Sequence, residues 1–197
     1  MKKLKRIFSA LLIGAMALTL LVGCGGSGGS TGSSVQYMDE SSAALNTFIA
    51  SGESWASGGP IDIIENEALR ELTDKWAEEA SFALSRLCDP NAGGEDGFIE
   101  NYLKRPFDAR CENVLSAEGI LNDDTNRMDT GLMIIGAEDL PESELNNALT
   151  QFFKDQQHIG ENQIPSGVAL HVYLVTDATN EYQKAWIAFL VVTGSNK

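Results

Sequence analysis

The sequence predicts an α+β domain with helices packed on a small antiparallel sheet, and three observations carry that expectation. Apolar residues recur at three and four between Asp62 and Leu87. An acid-rich helix start stands at Asp139, and the last third of the chain changes to a period of two. Helices first and a hairpin last is the order of a domain whose helices cover an antiparallel sheet. No internal repeat is evident.

Taken in order, Val35 to Ala50 has a weak helical pattern, with Tyr37, Ala44, Leu45, Phe48 and Ile49 at its apolar positions. The Gly/Ser-rich stretch from Gly52 to Pro60 ends it. The strongest helix is expected from about Asp62 to Leu87. Leu69, Leu72, Trp76, Ala80, Ala83 and Leu87 face inward there, and Glu71, Asp74, Lys75, Glu78 and Glu79 face outward. Asp89-Pro90 stops it, because proline disfavours helical geometry at the preceding residue. Asn91 to Gly97 reads as a loop, and Phe98 to Lys104 as one or two helical turns before Pro106.

A polar loop from Asn122 to Thr130 precedes Leu132-Met133-Ile134-Ile135, a short buried strand or helix edge. Asp139 is then a capping acid, Pro141 sits in the first turn, and Glu142 and Glu144 lie near the positive end of the helix dipole. That helix carries Leu145, Ala148, Leu149, Phe152 and Phe153 inward and ends near Gly160. Finally Val168, Leu170, Val172 and Leu174 alternate with Ala169, His171, Tyr173 and Val175, the histidine on a face expected to be polar. The turn Asp177 to Gln183 and the apolar stretch Trp186 to Val192 complete an antiparallel hairpin.

The first residues concern location. Lys2, Lys3, Lys5 and Arg6 precede an apolar run from Ile7 to Val22. A spanning helix needs about 20 apolar residues, so this shorter run reads as a secretory signal. Its end, Leu21-Val22-Gly23-Cys24, resembles the lipobox of bacterial lipoproteins, in which the cysteine is acylated and becomes the mature N-terminus. The expected organisation is a signal peptide over 1–23, lipidated Cys24 with a linker to residue 34, and one domain over 35–197. Gly25 to Ser34 are all Gly, Ser or Thr, and ten such residues form a coil of roughly 17–19 Å. The membrane, reached through acyl chains from its outer side, is the first expected partner.

Loss of the four basic leader residues leaves ten basic against 28 acidic residues, a net charge near −18. Nucleic acid binding needs a basic surface to displace counterions and is excluded as a partner class. The acidity otherwise reads as solubility outside the cytoplasm. Beyond Cys24, Cys88 and Cys111 remain. In an oxidising compartment they form one disulfide, worth about 3 kcal/mol in the chain-entropy model; the alternative is two buried free thiols.

Few residues signal chemistry. Residues 35–197 hold no G-x-S-x-G elbow, no H-E-x-x-H and no P-loop, and His158 and His171 are the only histidines. Asp89, Asn91, Gly94 and Glu100 occupy positions 1, 3, 6 and 12 of an EF-hand-like spacing. Gly93 brings no ligand to position 5 and Pro90 is stiff, so a solvated acidic turn is preferred over a calcium site. No cofactor is expected.

Several short motifs, in order, resemble the CAP superfamily, the cysteine-rich secretory/antigen 5/pathogenesis-related-1 domain also called SCP. Glu112-Asn113-Val114 is similar to its Glu-Asn-Ile/Val signature, and Phe152 to His158 to a helix end with a cavity histidine. Gly167-Val168-Ala169 and Trp186-Ile187-Ala188-Phe189 are similar to its Gly-Val-Gly and closing strands. The resemblance implies an αβα sandwich with a cleft lined by Glu112 and His158, flanked by Cys88 and Cys111. It implies only one of the family's two histidines, since Ser85-Arg86-Leu87-Cys88 stands where the other would be. The function it implies is non-catalytic binding of a small apolar or envelope ligand, or of a partner protein. Two alternatives stay open: a hydrolase using Glu112 as base or metal ligand and His158 as acid or ligand, and an unrelated, cystatin-like interaction lipoprotein.

Overall fold

Alternation in the last third becomes the two longest strands among the described residues, both buried on both faces. The computed structural model describes residues 34–51, 60–88, 99–155 and 163–196. Strands β1 (Val35–Tyr37), β2 (Asp62–Ile63), β3 (Arg127–Gly136), β4 (Gln163–Thr176) and β5 (Lys184–Asn196) form one sheet, ordered β1-β4-β5-β3, with β2 also on β4. All pairings are antiparallel except β2 with β4. The chain is therefore an α+β protein, as the sequence predicts.

Helices lie against both faces. On one, α2 (Glu67–Ser81), α3 (Leu84–Leu87) and α4 (Arg105–Ala117) bring Leu69, Trp76, Leu84, Phe107, Cys111 and Leu115 onto Ala169, Tyr173, Ile187, Phe189 and Val191. On the other, α1 (Asp39–Ala50) and α5 (Glu142–Asp155) bring Leu45, Ile49, Leu145 and Leu149 onto Val168, Leu170, Val172, Ala188, Leu190 and Val192. Odd residues of β4 and β5 serve the first core and even residues the second. Because successive side chains point to opposite faces, such strands read as continuous apolar runs. The sheet thus has no polar face, which corrects the expected placement of His171.

Boundaries moved where tertiary contacts compete with local pattern. The expected first helix begins with β1, where Val35 and Tyr37 pair with Val175 and Tyr173. The expected long helix opens as β2, starts at the Asn66 cap, whose side chain accepts from the Leu69 N–H at 2.8 Å, and breaks after Ser81. There the β4–β5 turn docks: Ala178 N–H donates to the Ser81 carbonyl, and Asp177 accepts from both the N–H and the hydroxyl of Ser85. Hydrogen bonds from Thr179 and Ser85 hold the Asp177 carboxyl far below the usual carboxylate range.

The sequence reading had no helix at α4. Pro106 sits in its first turn, where proline is tolerated, after a π-helical turn at Glu100–Lys104. At its end Gly119, at φ +70°, lets the Ile120 N–H reach the Leu115 carbonyl and the Gly119 N–H the Ser116 carbonyl. Strand β3 is longer than expected, taking in Arg127 to Thr130 from the supposed loop. The close of α5 near Gly160 and the acidic turn from Asp89 to Phe98 lie outside the described residues.

Candidate functional site

Helix α4 crosses the start of β3, and the two enclose an open groove of about 410 Å³ lined by Arg105, Asp108, Glu112, Met128, Asp129 and Thr130. Phe107, Cys111 and Leu115, four apart, turn the apolar stripe of α4 into the core. The same spacing presents Asp108 and Glu112 one turn apart beside the groove. Asp108 is anchored: one oxygen accepts from the Thr130 hydroxyl, the other from Lys104 Nζ at 3.2 Å. Asp129 bends back so that its carboxylate accepts from the Thr130 N–H at 2.9 Å. Partial burial raises the Asp129 pKa, and Asp108 adds to the rise against the pull of the Thr130 N–H and Lys104. Glu112 is exposed. Three carboxylates stand beside Arg105 and Lys104, and with Asp108 already paired to Lys104 it is Glu112 and Asp129 that can meet a cationic group.

A second polar cluster sits between α2 and β4. Thr73 Oγ1 is 2.8 Å from His171 Nδ1 and 2.7 Å from the Tyr173 hydroxyl. The Tyr173 hydroxyl donates to Asp74 at 2.9 Å, and Arg70 Nε donates to the same oxygen at 2.9 Å. The Arg70 guanidinium lies 3.1 Å from the Tyr37 ring centroid, and Tyr37 meets His171 edge-on at 6.1 Å. Burial, with Arg70 nearby, lowers the His171 pKa to about 4, so at neutral pH the ring is uncharged. Its partners satisfy one another across α2, β4 and β1. This cluster fastens the edge strand β1 to the core.

Of the residues singled out from sequence, Glu112 lies in the groove. Cys24 and His158 are outside the described residues. Helix α5, which leads toward His158, packs on the opposite sheet face from α4. Cys88 and Cys111 are free thiols, Cys111 buried in the first core and Cys88 packed against it. Burial raises the pKa of both, which favours the protonated thiol over the thiolate. Among the described residues no three His, Cys, Asp or Glu side chains are placed to hold a metal ion. No helix there is long and apolar enough to cross a membrane.

Sequence reasoning missed Asp108, Asp129 and Thr130. The four-residue spacing of Phe107, Cys111 and Leu115 was the available signal for α4, and hence for Asp108 and Glu112 sharing a face. Comparison with protein families, characterised proteins and solved structures gives no match to this chain.

Proposed function

We propose that this chain is a lipid-anchored binding protein on the outer side of a bacterial membrane, holding a cationic partner at the α4–β3 groove without chemistry on it. The observation that carries the reading is the groove itself: Glu112 exposed, Asp108 pinned by Thr130 and Lys104, and Asp129 raised in pKa by burial. A fixed set of acceptors selects partners by charge. Its polar lining favours a partner protein over a small apolar ligand. The anchor belongs to the same proposal, on the strength of Leu21-Val22-Gly23-Cys24 and the Gly/Ser linker. The CAP likeness enters through architecture: helices on both sheet faces, with Gly167-Val168-Ala169 and Trp186 to Phe189 on paired strands, support it. Catalysis by Glu112 with His158 is not proposed, since His158 lies outside the described residues.

Two measurements test this. Fatty-acid labelling of the full chain in a bacterial host is expected to mark the protein and to disappear in Cys24→Ala; label retained in that variant overturns the anchor. NMR titration with N-acetyl-lysine methylamide is expected to shift the Glu112 and Asp129 carboxyl signals saturably, more weakly in Glu112→Gln. Absence of any saturable shift overturns the groove.

A further inference from the structure

The hydrogen-bond phase of the sheet identifies which backbone groups of β3 face outward. The Ala137 N–H donates to the Lys184 carbonyl at 2.8 Å, and the β3–β5 register extends through that pair. In an antiparallel ladder, opposed residues alternate between exchanging both bonds and turning both groups away. Odd residues of β3 therefore bond β5, and Met128, Thr130, Leu132, Ile134 and Gly136 turn their N–H and C=O outward. Two contacts agree with this phase: the Thr130 N–H is taken by the Asp129 side chain, and the Gly136 carbonyl by the Asp139 N–H. Between them, the outward groups of Leu132 and Ile134 have no hydrogen-bond partner among the described residues, and no described strand pairs with this edge.

Exposed edges in soluble proteins are blunted by charges, proline, bulges or short length. β3 is ten residues long, and its stretch Gly131-Leu132-Met133-Ile134-Ile135-Gly136 carries no charge and no proline. The acidic groove adjoins it directly, since Met128, Asp129 and Thr130 belong to both. We propose that the edge of β3 binds an extended peptide segment of a partner protein as an added strand. Leu132 and Ile134 supply the rungs, and a Lys or Arg of that segment enters among Asp108, Glu112 and Asp129. Backbone pairing supplies affinity in such strand addition, and side-chain pockets supply selectivity. A second copy of this chain is the disfavoured occupant, because each mature chain carries a net charge near −18. The inference rests on the groove as the binding surface and adds the form in which the partner arrives.

The test is amide hydrogen exchange on the full chain in detergent, with acetyl-Lys-Val-Thr-Val-Val-amide and its Glu-for-Lys counterpart as probes. Without peptide, the Leu132 and Ile134 amides are expected to exchange fast. With the lysine peptide their exchange is expected to slow roughly tenfold. That protection is expected to weaken in Glu112→Gln and in high salt, and to be absent with the glutamate peptide. Leu132→Pro removes an outward N–H while sparing the β5 ladder, and is expected to lose peptide protection at Ile134 while retaining a cooperative melt. If that variant unfolds, the wild-type exchange data decide alone. Slow exchange at Leu132 and Ile134 in the free protein overturns the proposal, as does protection that tracks protein concentration and dimer mass without peptide. Carboxyl shifts from the lysine peptide with no protection at these amides overturn the added strand while leaving the groove standing. Equal protection by both peptides overturns the role given to the cation.

Discussion

The two edges of this sheet are treated in opposite ways. Along β4, short strands cover the ends: β1 pairs with Tyr173 to Val175 and β2 with Gly167 and Val168. Between them, helix α1 takes the place of a strand. Asn46 accepts from the Leu170 N–H at 2.7 Å and donates to the Leu170 carbonyl at 2.8 Å, while the Ser42 hydroxyl accepts from the Val172 N–H at 3.0 Å. The Met38 N–H closes the Val172 carbonyl at 2.8 Å. Along β3, Asp129 and Asp139 close only the ends. Buried backbone polar groups need partners, so α1 has to imitate a strand on one side. On the other, no described residue meets the outward groups of Leu132 and Ile134.

Removing Asn46 is the strongest way to break the sealed edge. It is 9% exposed and serves two backbone groups of one buried residue. Asn46→Ala leaves both without a partner, at a cost of about 3 kcal/mol, a drop of roughly 6–12 °C in a protein of this size. Thermal and urea melts check this. A loss below about 1 kcal/mol would mean that water replaces the amide and that the edge is not sealed in the sense argued.

Acid attacks the same edge through His171. Its pKa is lowered to about 4, so between that value and the unfolded one near 6.5 the unfolded chain binds the extra proton. Stability is whole above pH 6.5 and falls as pH falls, by about 2 kcal/mol at pH 5. His171→Phe should flatten that part of the profile, measured by urea midpoints from pH 7.5 to 4.5. An unchanged slope in the variant would assign the acid loss to carboxylates instead. A smaller effect is expected from Ser42→Ala, about 1 kcal/mol for the one N–H it frees.

These contacts mark what was legible in the sequence. Period fixes which residues are buried, and the α2 stripe, the α5 start and the β4–β5 alternation all emerged near where they were expected. Period is silent on partners. Ser42 and Asn46 lie one turn apart on a helix and outside its apolar positions, yet they complete a sheet. His171 reads as exposed because it alternates with apolar residues, but a three-layer arrangement leaves β4 no wet face. Helix α4 was lost because Pro106 was read as an end, although proline suits a first turn. Glu112 was picked out by resemblance and Asp108 shares its helix, whereas Asp129 comes from a separate strand that only the fold brings to them.

The smallest expected effect bears on the open edge. The Asp129 carboxylate sits directly on the outward rung of β3, and partial burial and Asp108 both raise its pKa. Its charge therefore opposes folding slightly, while its oxygen satisfies the Thr130 N–H. Asp129→Asn keeps an acceptor at that N–H and drops the charge, so the fold is expected to be slightly stabilised, read as a small rise in the urea midpoint. The same change takes one of three negative charges from the groove, and protection of Leu132 and Ile134 by the lysine peptide is expected to weaken severalfold. A residue whose neutral form folds better and binds worse is held there for binding, as trade-offs at functional sites run. Destabilisation by Asp129→Asn, with peptide protection unchanged, would make Asp129 a plain cap on the β3 edge and leave the two edges differing only in how they are closed.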